Sequence, residues 1–363
     1  MEKSQATLAN FNCTMNINGK SEPMLNFFES IILQALLDKS LYRENSSGKY
    51  YIGDLKLIQL ENGPIALVGK HVRKTKVTKW PDYNRESDSF IGESLQLNSS
   101  PHADFILLLH NHRLIYHTNQ SGTPPVASFG TTIKVIVNKF VTAIRKDLIK
   151  QLNEVTQSEA KKNNITYINE NTGKTGYYRY EFNGIYYKNL SDFKHNYLDK
   201  FIPFPQINVV PIESESLIKE AFSKIDKIKS VEFRCYKLNN EAFDPDDIFA
   251  SMNTILDRTE SNSVKNVLVS PNNIPIVENA LYHSKGKSSY IVNAVTDEGE
   301  KIKILPESVA EKVSVEINSQ GDIVYNSNLV YNQLKQRTSL REVSEENLNV
   351  YRNKLDSLLQ LLK

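Results

Sequence analysis

The chain has little cysteine, tryptophan or methionine: two, one and four residues respectively among 363. The two cysteines, Cys13 and Cys235, lie far apart, each in a run of alternating polarity. They cannot form a disulfide framework and read as buried thiols of a reducing compartment. No stretch approaches the roughly 18 consecutive apolar residues of a membrane span. The start, Met1-Glu-Lys-Ser-Gln, lacks the basic and apolar segments of a secretory signal. A cytoplasmic protein without a membrane partner is expected. Also missing are the Gly-rich phosphate and dinucleotide loops, the Gly-x-Ser-x-Gly elbow, His-Glu-x-x-His and Cys-x-x-Cys. The usual nucleotide, hydrolase and zinc signatures are thereby excluded, and no cofactor is expected.

What is present belongs to a folded chain. Apolar residues make up 40% and charged residues 24%, near globular averages. The length exceeds what one core usually serves, so more than one domain is expected. Asparagine is unusually common, at 37 residues. The charge is uneven: residues 1–200 carry 25 Lys/Arg against 19 Asp/Glu, and residues 201–363 carry 19 against 23. A basic half and an acidic half suggest different partners for each. In composition, and in lacking cofactor motifs, the chain resembles bacterial accessory and phage-defence proteins, a likeness that assigns no residue a role.

Hydrophobic periodicity gives the elements. Ala9, Phe11, Cys13, Met15 and Ile17 alternate with polar residues, predicting a strand with one core face and one wet face. A helix follows, with Met24, Leu25, Phe28, Ile31, Ile32, Ala35 and Leu36 on one side. Asn62-Gly63 and Asn183-Gly184 each predict a tight hairpin turn. Pro124-Pro125 precedes a long helix expected over 131–162. From residue 206, strands and helices alternate. The chain closes in a helix over 344–362, with a ridge of Leu355, Leu358, Leu359 and Leu362. The expected class is α+β. A basic antiparallel-sheet domain with a long helix covers 1–162, a Tyr/Asn-rich hairpin connector 163–205, and an α/β-plait (ferredoxin-like) domain with a terminal helix 206–363.

Four of the seven histidines fall between His102 and His117. With Asn111-His112 as a two-residue turn, Ile106 would face His117 and His110 would face Arg113. His110 and His117 would then stand roughly 13 Å apart, too far to share one zinc. These histidines are expected in water, at a turn and a strand end, with no metal between them.

The positive signal is electrostatic. Between Lys70 and Trp80 the chain carries Arg73, Lys74, Lys76 and Lys79 besides Lys70, with no acid. A strand charged on both faces is expected to be an exposed ribbon able to reach phosphates, with Trp80 as a stacking surface. On the long helix, Lys139, Lys146 and Lys150 share a stripe. Arg179 stands in a tyrosine-rich hairpin, 177–187, with Lys188 directly after it. Any one of these reads more readily as a solvated face or a packed hairpin. Together, in the basic half, they point to nucleic-acid binding, DNA or RNA, with low base specificity. The competing readings are a protein-interaction or assembly subunit that uses the acidic half and the terminal helix, with a partner protein or a homo-oligomer joined through the leucine ridge, and a nuclease with metal ligands dispersed along the sequence.

Overall fold

The computed structural model describes residues 1–363 except 19, 80, 92, 119, 237–248, 260, 262, 285 and 363. The chain is α+β with antiparallel sheets. Strand β1 (Glu2–Ile17) is the spine of a ten-stranded sheet. The sheet continues through β2 (Gly48–Gln59), β3 (Ile65–Lys79), β4 (Leu95–Ser99), β5 (His102–Leu108) and β6 (Arg113–Thr118). Helix α1 (Val126–Lys150) then crosses it, and β7 (Pro205–Pro211) pairs with β1, Ala9 opposite Pro211. The order is β7-β1-β6-β5-β3-β2, with Arg43–Asn45 beyond β2 and β4 on the outer part of β3.

The chain next builds a second unit from α2 (Glu215–Phe222), β8 (Ile225–Tyr236), α3 (Ala250–Arg258), β9 (Ser263–Val269), α4 (Ile274–Ser284), β10 (Ser288–Thr296) and β11 (Lys301–Ile304). Its sheet runs β9-β8-β10-β11 around its own core of Phe222, Val231, Phe233, Leu281 and Tyr290. In chain order this sheet is β-α-β-α-β-β, which differs from the β-α-β-β-α-β order of the expected plait. Cys235 lies in this core and donates to Met252 Sδ at 3.3 Å, while Cys13 is buried in the large sheet. Strand β12 (Lys312–Ile317) returns to β1, Glu2 opposite Ile317, and α5 (Ile323–Leu334) and α6 (Glu345–Gln360) complete the fold. The 206–363 segment thus supplies two strands and two helices to the sheet begun by β1.

Both faces of the large sheet are covered, and this corrects the expectation of a wet face on β1. Phe11, Cys13 and Met15 join Leu67, Phe105 and Leu107 against α1, the helical segment from Met24 to Leu37 and α6. The alternate residues Ala6 and Leu8 join Val68, Ile106 and Leu108 against α5. Further along that second face Asn10, Asn12 and Thr14 are buried too. Asn10 accepts a hydrogen bond from the buried Arg113 and lies against the backbone of Gly286. A polar face is wet only if nothing covers it, and here a distant loop does.

The same packing corrects other boundaries. The long helix stops at Lys150, and Thr156 with Glu159 forms a capping box that starts a separate helix, Gln157–Lys162. At Asn62-Gly63 only Asn62 takes positive φ, 51°, and Gly63 is required because an added Cβ would lie 2.6 Å from the Tyr331 ring. The leucine ridge docks in cis: Leu358 is buried, and Leu355, Leu359 and Leu362 pack on the same core. Tyr351 on α6 accepts the Ile65 N–H at 3.0 Å, tying the terminal helix to β3. Among the described residues, no helix is long and apolar enough to cross a membrane.

Candidate nucleic-acid interface

The segment after α1 folds on a small aromatic core. Phe182, Tyr187, Phe193 and Leu198 bury one another, with Leu148, Ile149 and Leu152 of the α1 end and its exit turn beside them. The strands Tyr180–Phe182 and Ile185–Tyr187 pair across Asn183-Gly184, whose φ values are 50° and 78°. Both central residues therefore take the left-handed conformation that the expected type I′ turn requires. Phe182 and Tyr187 are buried, whereas Ile185 beside the turn and Tyr186 on the opposite face are exposed. A second hairpin, Thr166–Ile168 with Thr175–Tyr177, lies alongside.

Between these hairpins opens a cleft of about 720 Å3, lined by Tyr167, Tyr177, Tyr178, Arg179, Tyr180 and Lys188 among others. Tyr167 and Tyr178 meet edge to face at 5.1 Å, and Tyr178 lies 6.2 Å from Tyr186. Lys188 Nζ sits 5.0 Å over Tyr167, and Lys161 Nζ 5.5 Å over Tyr177. Glu154 is the acid of the lining. The cleft therefore offers ring faces, guanidinium and ammonium groups in one place, the combination that stacks bases and contacts phosphates.

The other residues singled out from the sequence are placed elsewhere. Lys146 and Lys150 are exposed on the last turns of α1, next to the aromatic core, with Lys150 paired to Asp147 at 3.0 Å. Lys139 donates to the Tyr42 carbonyl at 2.7 Å and lies 4.9 Å over its ring. Lys74 and Lys76 are exposed on β3, and Arg73 is half-buried. The backbone of Lys79 pairs with Leu95, while Trp80 lies outside the described residues. β3 is a central strand over Ile65–Val72, hydrogen-bonded to β2 and β5, so the ribbon expected from Lys70 begins further along the chain. Only its outer end, Thr75–Lys79, is a ribbon, paired with β4.

Two of the four histidines expected in water are buried, and His102 and His110 are partly exposed. Ile106 pairs with Ile115 and Asp104 with His117, two residues out of the expected register, because Leu109 to Asn111 form a wider turn. His112, at φ 56°, and His117 are buried. Asn111 explains this: its side chain donates to the carbonyls of Leu340 at 2.7 Å and Glu342 at 3.2 Å, so the C-terminal segment covers the turn. Burial first, and Arg113 next, hold His110 down to about 4; burial, then His110 and Arg113, do the same to His112. His71 is also fully buried, with Tyr116 Oη and Thr132 Oγ1 each 3.0 Å from a ring nitrogen, and burial brings it to about 3. Among the described residues, no three His, Cys, Asp or Glu side chains come together as metal ligands.

Two further groups were not legible in the sequence. Tyr167 lies outside the hairpin signal that holds Arg179 and Lys188, and only the fold brings it to the cleft. Glu213 follows β7 in a second cleft of about 530 Å3 that also holds Arg113, Arg337 and Glu311. It accepts from Ser284 Oγ at 3.0 Å and Gly286 N–H at 2.7 Å, and burial pushes its carboxyl up to about 7. No local pattern distinguishes this acid from its neighbours. Comparison with protein-family models and with curated proteins finds no match to this chain.

Proposed function

We propose that the protein binds single-stranded nucleic acid with little base preference. The carrying observation is the cleft in which Tyr167, Tyr177, Tyr178 and Tyr180 line the same space as Arg179 and Lys188. Every base has a ring face, so stacking on tyrosine tolerates sequence, while the cations meet the phosphates. Lys146 and Lys150 extend the positive surface, because the end of α1 packs on the same aromatic core. Tyr167, Tyr177 and Tyr180 stand on paired strands and the Tyr178 N–H donates to the Ile165 carbonyl, which lowers the ordering cost of binding. A cytoplasmic setting suits this reading, both cysteines being buried thiols.

Anisotropy titrations of labelled oligothymidylate and oligoadenylate test it. Comparable affinities are expected for the two. Tyr178→Ala should weaken both by about fivefold or more, from a stacking loss of about 1–3 kcal/mol per base. Arg179→Ala should also reduce the log–log salt slope by about 0.7 for each phosphate that is no longer neutralised. Absence of binding by the wild type, or unchanged affinity in both folded variants, refutes the proposal.

A further inference from the structure

The second sheet is packed on one side only. Val231, Phe233 and Cys235 of β8 and Tyr290, Val292 and Ala294 of β10 face the core that α2, α3 and α4 close. Residues alternate across a strand, so their neighbours point the other way. On that other side Val267, Val269, Ile291 and Val295 join no core among the described residues.

The register fixes what this bare face presents. Lys265 lies opposite Arg234, and Arg234 opposite Ser289. The next row holds Val267, Glu232 and Ile291, and the one after it Val269, Ser230, Asn293 and Lys303. Lys301 stands opposite Val295. Tyr236, on the same face as Arg234, places its Oη 3.0 Å from Ser289 Oγ, so its ring lies across the sheet from β8 toward β10.

An antiparallel sheet that turns one side to water is ordinarily polar on that side. Here Val267 is 47% and Val269 77% exposed. Around these rows stand four exposed cations, Arg234, Lys265, Lys301 and Lys303, against one acid, Glu232, which pairs with Lys265 at 2.8 Å. Asp297, Glu298 and Glu300 lie beyond the strand ends, in the turn from β10 to β11. Residues 201–363 as a whole carry 19 Lys/Arg against 23 Asp/Glu, so the excess of cations on this face is local. Its complement is a polyanion. An acidic peptide would meet the charges alone. A nucleic-acid strand also brings flat bases to Tyr236, Ile291 and Val267 while its phosphates meet the cations.

We infer that the bare face of the second sheet is a further site for single-stranded nucleic acid, separate from the tyrosine cleft. It shares the ligand class with the reading above and none of its residues. Tyr236 is one ring against the four tyrosines of the cleft, so the sheet is the weaker of the two sites.

Calorimetric titration of the full chain with oligothymidylate of about eight nucleotides, within the size of one single-strand site, counts the sites. The wild type is expected to bind two per chain, one more tightly than the other. Tyr178→Ala with Arg179→Ala should weaken the tighter event and leave the weaker one. Arg234→Gln with Lys303→Gln, at exposed positions, should do the reverse. The second event should then weaken by about tenfold or more, from two lost charged contacts. Its log–log salt slope should fall by about 1.4, at about 0.7 for each of two phosphates. The circular dichroism spectrum should be that of the wild type in both variants. A single oligonucleotide per wild-type chain that is lost in the cleft variant overturns the inference and keeps the cleft. So does a second event that the sheet variant leaves unchanged. A single event that survives the cleft variant and is lost in the sheet variant upholds this site and refutes the cleft. No binding at all refutes both. A polyglutamate peptide that displaces the second oligonucleotide as effectively as free oligothymidylate gives the face to an acidic protein instead.

Discussion

Acidification from pH 7 to pH 5 should destabilise the fold by an amount set by buried imidazoles. His71 is held to about 3, and His110 and His112 to about 4, chiefly by burial, against 6.5 for an exposed histidine. Below 6.5 the unfolded chain takes up protons that the native chain refuses, so stability falls as pH drops toward the folded values. At pH 5 each of the three costs about 2 kcal/mol relative to pH 7, or about 6 together. Glu213 works in the opposite direction. Its folded value is raised from 4.5 to about 7, so the native carboxyl keeps a proton that the unfolded one has lost. Its contribution declines as pH rises through that window, and acidification from 7 to 5 restores about 2 kcal/mol. The net loss is about 4 kcal/mol, a large part of a typical domain's margin. Urea denaturation at the two pH values measures it. Glu213→Gln removes the offset and should widen the loss to about 6 kcal/mol. A midpoint at pH 5 equal to or above that at pH 7 would refute the burial of these histidines as neutral groups.

The packing of α6 gives two further expectations. Leu358→Ala should lower stability by about 2–5 kcal/mol in chemical denaturation, since Leu358 is buried in the main core, and a wild-type midpoint would show the helix to be undocked. Tyr351→Phe should cost about 1–3 kcal/mol by orphaning the Ile65 N–H, a loss that Tyr351→Leu should not reduce. At the β2–β3 turn, Gly63→Ala should destabilise by about 1–3 kcal/mol, because the added methyl would meet Tyr331 at 2.6 Å; a neutral result would mean that the ring moves aside freely.

The elements that could be read from the sequence are those whose signal is local. The strand at Phe11–Ile17, the helical stripe from Met24 to Leu36, the Asn183-Gly184 turn and the terminal helix all carry their periodicity or turn chemistry within a few residues. What was not legible is long-range. Asn10 looks solvent-facing until Arg113 and the Gly286 loop cover it, and Asn12 beyond it is buried too. The histidine turn looks wet until Asn111 ties it to Leu340, far along the chain. The basic residues from Lys70 suggested an exposed ribbon, yet Lys70–Lys74 still pair within the sheet, because the apolar run Ile65–Val68 before them fixes the strand's place between β2 and β5. At the candidate site, Arg179, Lys188 and the tyrosines of their hairpin could be named in advance, whereas Tyr167 enters the cleft only through the pairing of a separate hairpin.

Where single-stranded nucleic acid touches the protein can be read directly by photo-cross-linking an oligonucleotide that carries 4-thiothymidine, followed by peptide mass spectrometry. Binding at the tyrosine cleft predicts adducts on peptides containing Tyr167, Tyr177 or Tyr178, suppressed by unlabelled oligonucleotide and by raised salt. Adducts confined to other peptides, or none above the level given by an unrelated protein, would contradict it.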